Sequence, residues 1–176
     1  MTRARGWMCA LLVALAPLGA AAARDETGEA NPEQLALVER YIEAVRAKDP
    51  ARLRGLYHDS AFACVSETNR PAADVNLASQ LAMEIPPEYE VYVYPTDDGG
   101  TPQWMRGLYD SAVPASHQFQ IQFTVGGNYT IVNQPIARQG NDWALVLLCL
   151  TDKGVAWYEI ARKDPKKARA WLKTQD

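Results

Sequence analysis

Tyr41, His58, Cys64, His117 and Cys149 are the residues of this 176-residue chain whose types could do chemistry. A phenol set into a helix can polarise a carbonyl, a pair of thiols can join, and imidazoles can move protons or hold a metal. With only two histidines in the chain, a metal centre would need Asp59 and a further carboxylate beside them. The ligand spacing of such a centre is absent. His58-Asp59 reads instead as the solvated end of a helix, where a cation suits the dipole. No glycine-rich phosphate loop, HExxH, CxxC or G-x-S-x-G elbow occurs, so the expectation is no metal site and no cofactor. Asn128-Tyr129-Thr130 matches a glycosylation sequon in a predicted hairpin turn, which matters only in a eukaryotic secreted protein.

The compartment decides what the thiols do. Residues 1–23 read as a cleaved signal peptide: Arg3 and Arg5 form a basic start, Trp7 to Leu18 an apolar core too short to span a bilayer, and Ala21-Ala22-Ala23 a small-residue cleavage site. The expected location is therefore periplasmic or secreted. Cys64 and Cys149 survive cleavage, and an even pair in an oxidising compartment invites a disulfide, the alternative being two buried free thiols. Cleavage leaves about 153 residues, enough for one domain with a real core. It also lowers Lys+Arg from 18 to 16 against 21 Asp+Glu, a net charge of about −5. An acidic chain without a basic stripe excludes nucleic acid as the expected partner, and no stable membrane span remains after cleavage.

The elements that must position these residues begin after a polar leader at 24–30. Asn31 caps and Pro32 opens a first helix, with Gln34 placed as a capping-box partner. Val38, Tyr41, Ile42 and Val45 form its apolar stripe. Asp49-Pro50 repeats the start signal for a shorter helix carrying Leu53, Leu56 and Tyr57 and ending near His58. Ala61 to Val65 is predicted as a short strand, and Asp74 to Met83 as a third helix with Val75, Leu77, Ala78, Leu81 and Ala82 inward. Glu88 to Tyr94 alternates as a strand. Residues 95–116 read as an insertion or lid, or as a solvated connection.

A meander follows. Phe119, Ile121, Phe123 and Val125 share one face of His117 to Val125, opposite Gln118, Gln120, Gln122 and Thr124. Gly126-Gly127-Asn128 turns the chain into Tyr129 to Ala137, and Gln139 to Asp142 turns it again into Trp143 to Leu150. That last strand is apolar on both faces, so the C-terminus or a second subunit must cover its outer side. Val155 to Arg162 is a strand or a helix, and Asp164-Pro165 starts a final basic helix.

The stretch NPEQLALVERYIEAVRAKDPARLRGLYHDSAFAC, Asn31 to Cys64, resembles the opening of the nuclear transport factor 2-like superfamily, which includes ketosteroid isomerases and polyketide-cyclase-like proteins. The resemblance implies an α+β fold, a cone-shaped, curved, mostly antiparallel sheet wrapped on N-terminal helices. That cone spans 31–151, with a short C-terminal helical extension at 152–176. It also implies a pocket on the concave side and a homodimer through the convex one. Steroid isomerases of this superfamily place an oxyanion-donor tyrosine on the first helix and a base just after the first strand. The tyrosine matches Tyr41, whereas the base position matches Val65, which takes no proton. Glu67, two residues on, would share that face if the strand continued.

The expected function is a non-catalytic binding domain holding a small apolar ligand or an envelope protein partner. Its pocket would be lined by Tyr41, Tyr57, Phe119, Phe123 and Trp143, taken from face patterns. An isomerase, cyclase or dehydratase using Tyr41 with Glu67 or His117 is the alternative. A third reading is an accessory subunit of an envelope or secretion assembly.

Overall fold

The computed structural model describes residues 24–25, 31–96 and 107–174. The expected signal peptide and part of the 95–116 segment lie outside the described residues. Helix α1 (Pro32–Arg46) opens where the sequence predicts: Asn31 Oδ1 accepts the Glu33 N–H at 3.0 Å. Gln34 does not act as a capping-box partner but turns inward and is buried. The predicted stripe is buried, joined by Leu37 and Ala44. Helix α2 (Pro50–Arg54) is capped by Asp49, which accepts from the Ala51 and Arg52 N–H groups.

This helix stops four residues short of His58. Leu56 and His58 instead exchange backbone hydrogen bonds with Leu145, whose carbonyl takes the His58 N–H at 2.9 Å and whose N–H reaches Leu56 O at 2.8 Å. A sheet edge thus competes successfully with the last helical turn.

Ala61–Cys64, predicted as a strand, forms a 3-10 turn. Short apolar runs do not distinguish the two states by periodicity, and here long-range ties decide. Cys64 is bonded to Cys149 across 85 positions of sequence, with the Cα atoms 5.9 Å apart. Beside it, buried Asn69 donates to Cys64 O at 3.1 Å and to Leu150 O at 2.9 Å, and accepts the Ser66 N–H at 2.8 Å. Helix α3 (Arg70–Ala82) then starts four residues earlier than expected. Its inward stripe is Ala73, Leu77, Gln80 and Leu81, while Val75 is 53% exposed and Ala78 and Ala82 face outward. The helix is rotated from the predicted face because a buried glutamine takes an inward position that hydropathy assigns to solvent.

Strands β1 (Arg24–Asp25), β2 (Glu90–Pro95), β3 (Tyr109–Asp110), β4 (His117–Val125), β5 (Asn128–Gln139), β6 (Asp142–Leu145) and β7 (Cys149–Leu150) form two sheets. The larger has the order β1-β2-β4-β5-β6, antiparallel except that Arg24–Asp25 runs parallel to Tyr92–Val93; the smaller pairs β3 with β7. Arg24 and Asp25, read as leader, thus occupy the edge of β2. The β4–β5 hairpin turns at Gly126 and Gly127, both with positive φ, the geometry a two-residue turn demands and glycine adopts without strain. Phe119, Ile121 and Phe123 face α1 together with Val91, Val93, Val132, Ile136, Trp143 and Leu145.

The predicted Trp143–Leu150 strand breaks after Leu145, so that β6 and β7 belong to different sheets. Its doubly apolar character has a local explanation. Val146 packs with Ala115, Ala137 and Val113, and Leu150 lies under the start of helix α4 (Asp152–Ala161). The chain's own segments provide this cover. Helix α5 (Pro165–Leu172), capped by Asp164, folds back so that Ala168 is buried in the α4–α5 hairpin. Among the described residues no helix is long and apolar enough to cross a membrane.

Candidate functional site

Tyr41, Tyr57, Phe119, Phe123 and Trp143 are brought together, each buried in one apolar core. Tyr41 meets Phe119 edge to face at 5.4 Å and is wholly shielded from solvent. Each of these large side chains contributes about 1.5–3 kcal/mol by burial. Both phenols find carboxamide partners, as buried tyrosines must. Gln80 Nε2 donates to Tyr57 Oη at 2.9 Å and Gln134 Nε2 to Tyr41 Oη at 3.4 Å. Burial, first, and the neighbouring Tyr57 hold the Tyr41 phenol well above its ordinary pKa, against the opposing pull of Gln134. Burial pushes Tyr57 up to about 12, with Gln80 opposing. The two phenols are therefore neutral at physiological pH, their oxygens accepting from the two carboxamides.

The remaining polar residues named from the sequence lie elsewhere. Glu67 is exposed between the 3-10 turn and α3, and neither phenol takes it as a hydrogen-bond partner. His117 sits at the start of β4 with its ring edge-on to Trp143 at 4.9 Å and Nδ1 3.2 Å from Ser116 Oγ. Arg138 covers the Trp143 ring at 4.6 Å, and Arg40 pairs with Asp142 at 3.3 Å, closing that end of the sheet. The Trp143 N–H and then Arg40 hold the Asp142 carboxyl below the usual value. His58 Nδ1 accepts the Ser60 N–H at 3.2 Å. Among the described residues no three His, Cys, Asp or Glu side chains converge as a metal site would require.

An open concavity among the described residues lies on the other side of Tyr57. A groove of about 190 Å³ is lined by Arg54, Phe62, Val65, Arg70, Ala73, Asp74 and Leu77. Arg54 ends α2, Phe62 lies within the disulfide-held 3-10 turn and Val65 follows it, and the other four come from the first two turns of α3. The Arg54 guanidinium carbon stacks 4.0 Å above the Phe62 ring centre, and that ring packs on Tyr57 at 5.3 Å. Among the described residues neither Arg54 nor Arg70 forms an ion pair. Val65, the position the resemblance aligns with a catalytic base, contributes apolar surface here.

Sequence reasoning placed Val65 at a site position and Leu77 on an inward helix face but assigned none of Val65's neighbours in this groove to a site. Arg70, Asp74 and Leu77 recur at helical spacing, a signal that becomes legible once α3 is known to start at Arg70. Arg54 carries no local signal, since it is one of several exposed arginines near α2. Gln80 and Gln134 were equally hidden, because carboxamides ordinarily mark solvated faces. Compared with known proteins, the chain matches no family model, no curated protein and no solved structure.

Proposed function

We propose that this chain is an exported, non-catalytic binding domain of the nuclear transport factor 2-like kind, a cone with a packed interior. Its small apolar ligand, or an apolar side chain of a protein partner, sits in the groove between α2, the 3-10 turn and α3. The observation that carries this reading is the groove, an open concavity whose apolar floor of Phe62, Val65, Ala73 and Leu77 is rimmed by Arg54, Arg70 and Asp74, beside a core in which Tyr41 and Phe119 are closed to solvent. Export rests on the residue pattern of 1–23, and the Cys64–Cys149 bond suits an oxidising compartment. Isomerase, cyclase or dehydratase chemistry would need a proton-transfer partner at Tyr41 or Tyr57. The partners there are Gln134 and Gln80, whose carboxamides do not exchange protons at neutral pH.

Calorimetric titration of small apolar and amphipathic ligands tests the reading. A ligand at a hundred times its Kd stabilises the protein by about 2.7 kcal/mol. Val65→Phe fills the groove and abolishes that gain, with its own thermal midpoint as the folding control. Undiminished binding by V65F would remove the groove from the proposal.

A second reading is favoured by the outer face of the larger sheet, where Gln118, Gln120 and Gln122 adjoin exposed Tyr129 and Ile131. This face suits a homodimer or docking onto an envelope assembly. Light scattering at micromolar concentration distinguishes a dimer from a monomer, and Ile131→Glu is expected to dissociate the dimer.

A further inference from the structure

We propose that the ligand of this groove is an organic monocarboxylate with a short apolar tail, an inference that rests on the groove being the binding site. Two guanidiniums from separate elements, Arg54 at the end of α2 and Arg70 at the start of α3, line a concavity floored by Phe62, Val65, Ala73 and Leu77. Neither has a carboxylate partner among the described residues. The Arg54 guanidinium carbon lies 4.0 Å from the Phe62 ring centre, a cation–π contact that anchors the side chain beside the groove while its N–H donors have no carboxylate partner among the described residues. A carboxylate fits that fork with paired charge-assisted hydrogen bonds.

Asp74 sets the ligand's charge. Among the described residues it is the one acid lining the groove, and it lies one helical turn beyond Arg70. Two cations and one anion leave a net charge of one, matched by a monoanion, while the second charge of a dianion would meet the like charge of Asp74. Volume sets the tail. The free volume of about 190 Å³ admits a carboxylate head group and a tail of a few carbons. The apolar floor then gives about a fourfold gain in affinity for each methylene added until the groove is full.

The test uses hexanoate, 1-hexanol and adipate, titrated into the full chain by calorimetry or by chemical-shift perturbation of the α3 amides. Hexanoate is expected to bind at least about tenfold tighter than hexanol, as a charge-assisted pair implies. Arg54→Gln and Arg70→Gln each lose about tenfold for hexanoate and nothing for hexanol. Adipate binds more weakly than hexanoate in the native protein, and Asp74→Asn removes the difference. Equal binding of hexanoate and hexanol, with V65F abolishing both, would overturn the carboxylate while leaving the groove as the site. Failure of all three probes to perturb any groove residue would overturn the carboxylate and the groove together.

Discussion

Replacing both Cys64 and Cys149 by alanine tests the constraint that holds the groove's floor. The bond closes a loop of 85 positions, and loop-closure entropy for that length corresponds to about 4.6 kcal/mol at 25 °C. Alanine is the appropriate substitute because Cys149 is almost wholly buried and a serine hydroxyl there would add an unsatisfied polar group. For a domain of this size the loss lowers the thermal midpoint by about 10–18 °C. The measurement is urea unfolding of the chain from Arg24 onward, whose only cysteines are Cys64 and Cys149, compared in oxidised, reduced and substituted forms. Because the cross-link acts on the unfolded ensemble, its removal expands that ensemble and the denaturant slope rises with the loss of stability. A loss below about 1 kcal/mol would refute the entropic argument. So would a full loss without any change in slope, which would place the effect in the folded state.

Three other outcomes follow from the same geometry. Gly154→Ala places a methyl 1.9 Å from the Leu108 carbonyl oxygen, forcing α4 away from its seat; the expected loss is about 3 kcal/mol by urea unfolding, and a loss under about 0.5 would contradict the close approach. Asn69→Ala leaves the Cys64 and Leu150 carbonyls and the Ser66 N–H without their partner, for an expected loss of about 2–3 kcal/mol, and faster amide exchange at Ser66 is the local sign. Burial raises the Tyr41 and Tyr57 pKa values, so their contribution is intact below the ordinary phenol value of 10.0 and is lost as pH rises through the folded values, about 12 for Tyr57. Stability measured across that alkaline range should fall less steeply in Tyr57→Phe, and an identical slope would count against the buried phenol.

Three helix starts, those of α1, α2 and α5, were determined by the sequence itself, because a side-chain cap is a contact between residues two or three apart; α3, whose Asn69 makes no such cap bond, was not. Asn31-Pro32, Asp49-Pro50 and Asp164-Pro165 each open a helix where their chemistry places it. The alternation of β4 and the Gly126-Gly127 hairpin were legible for the same reason, since side-chain parity and positive φ are properties of a few adjacent residues. The pairing of Cys64 with Cys149 was open in the sequence, because parity and compartment permit a bond that only proximity makes.

Tertiary structure alone decided what distant partners hold. It made Ala61–Cys64 a 3-10 turn through the disulfide and Asn69, rotated α3 to bury Gln80, and split the last apolar strand between two sheets. It also turned the five aromatic residues into packed core and assembled the groove from α2, the 3-10 turn and α3. In each case the deciding energy lies in contacts between residues far apart in the chain, such as those joining Asn69 to Leu150 and Gln80 to Tyr57, and a local pattern carries no record of them.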